Sequence, residues 1–304
     1  MYDLIIIGAG PAGMTAGIYA ARRKLKFIIL SMDIGGQMSW SSEVDNYPGV
    51  PDQTGIALVQ KFNQHLKDYN VIIKTGEVLR VEKKRGVCVV STKKSKYESK
   101  AVIIASGKKP RKLGVPGEDK FTGKGVNYCA TCDAPLFKNK IVAVIGGGNS
   151  GLEAALFLAK HAKKVYVLDI QEKLIGEPYL KEKVAKDKKI QTILEAKTTE
   201  ILGGKFVTSL KYEKAGKQQK LAVQGIFVEI GLITEADFIK VKKNKWKEIM
   251  IFRSTKSHEE NMTSLPGIFA AGDCTDIPSK QIIVAAGEGA KACLAAVDYI
   301  NRWK

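Results

Sequence analysis

Two stretches of the chain share one pattern: a short apolar run, a glycine cluster, an alanine-rich segment and a second apolar run. One is "YDLIIIGAGPAGMTAGIYAARRKLKFIILSMD", starting at Tyr2, and the other is "KIVAVIGGGNSGLEAALFLAKHAKKVYVLD", starting at Lys140. Short apolar runs bounded by glycine read as strands buried on both faces, and the longer segment between them as a helix. The pattern predicts strands over 3–7 and 27–30 in the first unit. In the second it predicts strands over 141–145 and 165–168, with the intervening helix running to about His161. Each unit is a strand–helix–strand design. Between them, "VIIKTGEVLRVEKKRGVCVVSTKKSKYESKAVIIASG" alternates Val/Ile runs with charged turns and predicts further strands. "KKPRKLGVPGED", residues 108–119, reads as a linker, and the texture changes again near 231–240. The last segment joins "LPGIFAAGDCTD" to the helix-like "KQIIVAAGEGAKACLAAVDYINRWK". The fold class is therefore α/β, with two Rossmann-like dinucleotide-binding domains.

Length agrees, because 304 residues exceed what one hydrophobic core usually organises. With 45% hydrophobic and 26% charged residues, the composition is that of a globular chain rather than a disordered one. No window holds 18 uninterrupted apolar residues, so no membrane helix is expected. The run "LIIIGAG" lacks a basic segment before it and is broken by glycines, which makes it a poor signal peptide. A cytoplasmic location is the expectation. The formal net charge of +18 comes from 49 Lys+Arg against 31 Asp+Glu. The lysines are scattered, as in "STKKSKYESK" and "IKVKKNKWKE", without interleaved aromatics. That favours a lysine-rich solvated surface, able to steer acidic protein partners, over a nucleic-acid interface.

The first glycine loop, Gly8-Ala9-Gly10-Pro11-Ala12-Gly13, matches G-x-G-x-x-G, and so does the second at Gly146, Gly148 and Gly151. One such match is weak, but both follow an apolar strand and open a helix, the context a dinucleotide fingerprint requires. The first glycine permits the tight turn, the second lets backbone approach a pyrophosphate, and the third lets helix pack on strand. In the second unit the strand "VYVLD" ends at Asp169, where a carboxylate can accept both ribose hydroxyls of NAD and repel the 2′-phosphate of NADP. The following "IQEKLIG" has no arginine, and Lys173 is the one nearby cation. In the first unit the acid, Asp33, comes later and precedes Gly35-Gly36, which fits a site opened for a larger dinucleotide such as FAD.

Five cysteines, Cys88, Cys129, Cys132, Cys274 and Cys293, are too few and too scattered for a disulfide framework. Only Cys129 and Cys132 form a pair, in "YCATCD". The pair could be half a zinc site, a crosslink or an electron carrier. Zinc asks for four ligands, and the other cysteines and His65, His161 and His258 supply no second pair, so no metal is expected. A spacing of three puts both sulfurs on one face of a helical turn, within disulfide reach. At a helix N-terminus a thiolate is favoured, and Asp133 is placed to move a proton or to cap the turn. Beside two dinucleotide sites, the pair suggests a circuit from nicotinamide to flavin to disulfide.

These motifs together resemble the low-molecular-weight thioredoxin reductases over essentially the whole chain. The matching stretches are "IIIGAGPAG", "GGQM", "VDNYPG", "VIIASGKKP", "VPGED", "CATCD", "AVIGGGNSGLEAA", "FAAGDC" and "KQIIVAAGEGAKA". Within that family, "YCATCDAPLFKNK" and "GGGNSGLEAA" are most similar to the branch of flavoprotein subunits of alkyl hydroperoxide reductases. That branch carries an extra N-terminal redox domain, and a first strand starting at residue 3 leads to the expectation that it is absent here.

The resemblance implies an FAD domain of residues 1–112 plus 242–304, with the nicotinamide domain inserted at 113–241. It implies three-layer ββα domains, a homodimer, and a rotation that alternately presents nicotinamide and cysteines. Gly8, Gly10, Pro11, Ala12 and Gly13 would hold the FAD pyrophosphate, and Gly35, Gly36, Gln37 and Asn46 would line the flavin side. Ala105, Ser106 and Gly107 match an Ala-Thr-Gly loop, with Ser for Thr. Asp273 would bond the ribityl chain, and Lys280, Gln281 and Ile282 would lie by the isoalloxazine. Ser31, Asp33, Val78 and Gly272 would add cofactor contacts, while Gly146, Gly148, Asn149, Ser150, Gly151 and Asp169 would hold the nicotinamide nucleotide. Cys132 would face the flavin as the charge-transfer thiolate, Cys129 would attack the partner's disulfide, and Asp133 would serve as acid–base residue. One departure matters. NADPH users carry His-Arg-Arg where this chain has Asp169, Ile170 and Gln171. The expected activity is thus an FAD-dependent disulfide oxidoreductase using NADH, with a thioredoxin- or glutaredoxin-like protein as acceptor. NADPH is the second choice, and a donor such as ferredoxin is disfavoured by the intact "GGGNSG".

Overall fold

Leu4, Ile5, Ile6 and Ile7 are all buried in the first strand, Tyr2–Ile7. Successive side chains of a strand point to opposite faces, so such a run needs cover on both sides. In this computed structural model, which describes residues 1–41, 44–234, 236–253 and 257–303, it has that cover. Leu4 and Ile6 pack with Met14, Ala16 and Ala20 of the helix Pro11–Arg22 and with Ala292, Ala295 and Ala296 of the helix Ile282–Asn301. Ile5 and Ile7 pack with Val81, Val90, Ile239 and Ile249.

The chain forms two compact units, one of Met1–Lys109 with Ile233–Lys304 and one of Pro110–Leu232. The first has a seven-stranded sheet. Its parallel part runs Ile73–Thr75, Phe27–Ser31, Tyr2–Ile7, Lys96–Ile104, with Ile268–Ala270 paired to the end of Lys96–Ile104. Val87–Thr92 and Val78–Lys84 extend it antiparallel. Residues 233–241 belong to this unit: Val81 N donates to Phe238 O at 2.8 Å, and Ala236 and Ile239 lie in its core.

The second unit repeats the plan. Five parallel strands run in the order Ile190–Ile193, Lys164–Leu168, Ile141–Ile145, Gly225–Val228, Val126–Asn127. Val142 and Val144 face Leu152, Ala155 and Leu158 of the helix Asn149–Ala159. Ala143 and Ile145 face Ile201, Leu210 and Tyr212 of an antiparallel three-stranded sheet, Lys197–Gly203, Val207–Lys214 and Lys217–Ala222. Each unit is thus helix, parallel sheet and antiparallel sheet in three layers, the architecture of two Rossmann-like dinucleotide-binding domains. Within 108–119 the chain is more ordered than a linker. Glu118, 2% exposed, accepts the N–H groups of Leu113 and Gly114 at 2.9 and 2.7 Å. Among the described residues no helix is long and apolar enough to cross a membrane.

Candidate functional site

In the first unit, turns at the carboxyl ends of the parallel strands gather most of the sequence-predicted cofactor residues. Gly13 is required by packing, since a Cβ there would lie 1.9 Å from Gly8 O. At Gly10 the nearest atom to such a Cβ would be Gly35 O at 3.9 Å, so this glycine keeps open space in front of the helix Pro11–Arg22. No side chain caps that helix, and Pro11 fills its first position. Its first N–H groups thus suit a phosphate. Gly35 N donates to Ala9 O at 2.7 Å, and Ser31 Oγ accepts the Ala9 N–H at 3.1 Å. Asp33 is exposed just beyond. Val78 opens its strand near Gly76, whose N–H donates to Ser31 O at 3.0 Å.

Gly36 and Gln37 begin a short turn, Gly36–Trp40, and the Gln37 amide stands against Gly107. Ala105 N donates to Ile7 O at 2.7 Å, which brings the 105–107 turn beside the glycine loop. Ser106 Oγ is buried there without an oxygen or nitrogen partner. Asn46 Nδ2 donates to Gln281 Oε1 at 3.0 Å, joining two predicted residues 235 positions apart. Gln281 ends the turn before the helix Ile282–Asn301, whose N-terminus is also uncapped. Gly272 and Asp273 follow Ala271, whose N–H donates to Ile104 O at 2.9 Å.

The predicted Lys280 belongs to a half-buried charge cluster whose other members, Lys108 and Glu248, sequence reasoning missed. Lys108 Nζ lies 2.8 Å and Lys280 Nζ 3.2 Å from one oxygen of Glu248, and Asn244 Nδ2 donates to the other at 2.7 Å. Burial opposes ionisation of Glu248, but these donors outweigh it and hold its carboxyl at about 2. Burial pushes the Asp273 carboxyl up, with Lys280 and Lys108 pulling the other way. Glu248 sits in the lysine-rich "IKVKKNKWKE", which sequence alone reads as solvated surface, and Lys108 opens the stretch read as a linker.

In the second unit, a Cβ at Gly151 would lie 2.0 Å from Gly146 O, whereas Gly148 meets nothing nearer than Ile175 Cγ1 at 4.0 Å. Gly148 is the uncapped N-cap of Asn149–Ala159, with Asn149 and Ser150 exposed in its first turn. Asn149 Oδ1 accepts the Glu177 N–H at 2.8 Å. Asp169, 9% exposed, accepts N–H groups from Gly147 and, at 2.8 Å, Gln171. Ile170 and Lys173 beside it are exposed. Past the strand Gly225–Val228, burial and then Glu153 push the Glu229 carboxyl up to about 8, a group the sequence did not single out.

Cys129 and Cys132 form a disulfide with Cα atoms 5.4 Å apart. Cys129 caps the single helical turn Ala130–Asp133 and Cys132 lies within it, with Cys132 exposed and Cys129 half-buried. Cys132 N donates to Cys129 Sγ at 3.2 Å. Asp133 adjoins the pair, and burial raises its carboxyl, which favours a held proton. The neighbouring Tyr128 is tied down: its hydroxyl donates to Glu118 Oε1 at 2.8 Å and is pushed up to about 12, first by burial and then by that carboxylate. Glu118 was hidden in the "VPGED" of the predicted linker. Cys88, Cys274 and Cys293 are buried free thiols.

The profile of the family described as "Pyridine nucleotide-disulphide oxidoreductase" matches residues 2–289. One subunit, designated F, of the alkyl hydroperoxide reductase of Staphylococcus epidermidis is 41% identical over 307 residues, covering 99% of this chain and 59% of that protein. The chain thus spans little more than half the length of the curated relatives it matches. Among solved structures, thioredoxin reductase of Lactococcus lactis (FR conformation) superposes with a TM-score of 0.89 at 35% identity, covering 99% of this chain and 100% of that one. Thioredoxin reductase of T. acidophilum gives 0.87 at 35% identity, covering 100% and 99%.

Proposed function

The chain belongs to the pyridine nucleotide-disulphide oxidoreductase family, and from that premise we propose that it is an NADH-using, FAD-dependent reductase of a disulfide in a thioredoxin- or glutaredoxin-like protein. Family membership implies FAD and a pyridine nucleotide. The observation that carries the reading is the accessible disulfide Cys129–Cys132 in a chain with two uncapped glycine-loop helices.

The first unit fits FAD: the open space at Gly10, the uncapped helix N-termini at Pro11 and Ile282, and the buried Ser106 Oγ with no oxygen or nitrogen partner all suit its phosphates and hydroxyls. When bound, FAD supplies a two-electron link between a nicotinamide and a disulfide. Gly10 and the helix after it would hold the pyrophosphate, Ser106 and Asp273 would hydrogen-bond the ribityl arm, and Gln37, Asn46 and Lys280 would border the ring. In the second unit Gly148 and its helix suit the nucleotide's phosphates. The carboxylate of Asp169 has acceptor capacity left for the ribose, and no arginine follows to hold a 2′-phosphate, which supports NADH.

Reduced, the pair works by exchange. The Cys129 thiolate attacks one sulfur of the partner's disulfide, and the other sulfur leaves and takes a proton from Asp133. The Cys132 thiolate then attacks Cys129 Sγ, restoring the Cys129–Cys132 disulfide and releasing the second partner sulfur as a thiolate that takes its proton from solvent. Two electrons pass to the partner and the protein pair is oxidised by the same two. A homodimer and a cytoplasmic location belong to the same reading and rest on the resemblance to thioredoxin reductases.

An anaerobic titration of the flavin-loaded protein tests the donor. Bleaching of flavin absorbance by NADH at concentrations where NADPH has little effect is the expected result, and the reverse order would remove NADH from the proposal. Replacing Cys129 by serine should abolish turnover with a redoxin and leave nicotinamide-driven bleaching intact. Retained redoxin turnover would remove the exchange role.

A further inference from the structure

The FAD reading of the first unit leaves the cluster around Glu248 unexplained. On the FAD reading the first glycine loop would hold the pyrophosphate and Ser31 and Asp33 the adenosine half. The residues that follow Lys96–Ile104 and Ile268–Ala270 would then hold the flavin half. There Lys108 follows the 105–107 turn, and Lys280 precedes the helix Ile282–Asn301. Both ammonium groups share Glu248 Oε1, and Lys280 also donates to Thr275 O at 2.6 Å. The side chains of Lys108, Lys280 and Glu248 are only 16%, 24% and 11% exposed. Asn244 fixes the acid twice, donating from Nδ2 at 2.7 Å and accepting the Glu248 N–H at 3.0 Å. Asp273 is the second acid in this electrostatic group.

The charges decide what the arrangement can do. Two ammonium groups balance two carboxylates; without Lys108, Lys280 alone would face Glu248 and Asp273. A bound flavin gains negative charge on reduction, so it would then meet a net acidic wall. We propose that Lys108, positioned by Glu248, is the residue that keeps the flavin end of this cradle electrostatically receptive to reduction. The proposal rests on the FAD reading and assigns Lys108 and Glu248 opposed electrostatic roles, the ammonium favouring reduction of the flavin and the carboxylate opposing it. At an effective permittivity of about 20, a unit charge within about a dozen ångström changes such an equilibrium by about tenfold. A cluster that served folding alone would lower stability when broken, in either partner, and leave the flavin's potential unmoved.

The test is the midpoint potential of the bound flavin, read against a reference dye. It is measured in full-length protein carrying Cys129→Ser and Cys132→Ser, so that no disulfide titrates with it. Lys108→Met is expected to lower the potential by about 30 mV, the equivalent of a tenfold change for a two-electron couple. Glu248→Gln, which removes an acid, is expected to raise it, and Lys108→Arg to stay with the parent. The opposite signs of the first two are the signature, and each stands alone if the other variant does not fold. An unchanged potential in flavin-loaded Lys108→Met, a fall in Glu248→Gln, or a fall in Lys108→Arg matching that of Lys108→Met would overturn the assignment. A parent protein that binds no FAD would instead overturn the FAD reading, and is seen before any variant is made.

Discussion

Asp169 accepts a hydrogen bond from the backbone N–H of Gly147, so the acid that ends the strand Lys164–Leu168 is fastened to the second glycine loop. The same carboxylate takes the Gln171 N–H at 2.8 Å. The residue proposed to choose the nucleotide therefore also shapes the loop that binds it. Asp169→Ala leaves these N–H groups without their acceptor and should cost roughly 1–3 kcal/mol in urea unfolding without nucleotide, besides weakening NADH binding. Ile170→Arg offers a cleaner switch, because Ile170 is 65% exposed. It should raise NADPH affinity about tenfold through a charge-assisted bond to the 2′-phosphate and leave stability within about 0.5 kcal/mol. Equal destabilisation by both changes would refute this division of roles.

The two kinds of glycine in the first loop should separate in experiment. A methyl group at Gly13 would sit 1.9 Å from Gly8 O, so Gly13→Ala has to push strand and helix apart. A loss of at least about 1–3 kcal/mol is expected. At Gly10 the nearest atom is 3.9 Å away, so Gly10→Ala should fold with nearly parental stability and lose FAD affinity. Thermal unfolding of the apoprotein with FAD titration distinguishes the two. A Gly10→Ala protein that keeps full affinity would show that the space there is not used by a ligand.

The strands at 141–145 and around 165–168 and the positions of both glycine loops were legible because buried parallel strands leave uninterrupted aliphatic runs and tight strand-to-helix turns leave glycines. What escaped notice depends on pairing across long separations. Glu248 meets Lys108 across 140 positions, and nothing local to either residue announces the other. Glu118 was lost inside a Pro/Gly-rich stretch whose composition says turn and whose three-dimensional role is an anchor. Ala236, Phe238 and Ile239 pack with Val78 and Val81 through contacts that local texture does not register.

The anchor at Glu118 makes a prediction about the residue before Cys129. Its carboxylate accepts the N–H groups of Leu113 and Gly114 and the hydroxyl of Tyr128, and it is 2% exposed. Glu118→Ala strands three donors and should cost roughly 3–5 kcal/mol, whereas Tyr128→Phe leaves the acid with two donors and should cost about 1 kcal/mol. Phenolate absorbance gives an independent check. Tyr128 ionises at about 12, so Tyr128→Phe should remove one late-titrating tyrosine from the parental curve. Loss of an early-titrating one would mean that the hydroxyl is not held by Glu118.

Glu229 gives the chain a dependence on pH that can be read in its stability. Burial, and then repulsion from Glu153, raises its folded carboxyl from about 4.5 to about 8. A raised carboxyl means that the folded state binds the proton more tightly than the unfolded one. Its contribution is complete below pH 4.5 and declines as pH rises to about 8, by on the order of a few kcal/mol. Glu229→Gln keeps the shape and removes the titration. The difference in urea midpoint between variant and parent should be small near pH 4.5, grow in favour of the variant through pH 8, and level off above it. Difference curves that stay flat across that window would show that Glu229 is solvated.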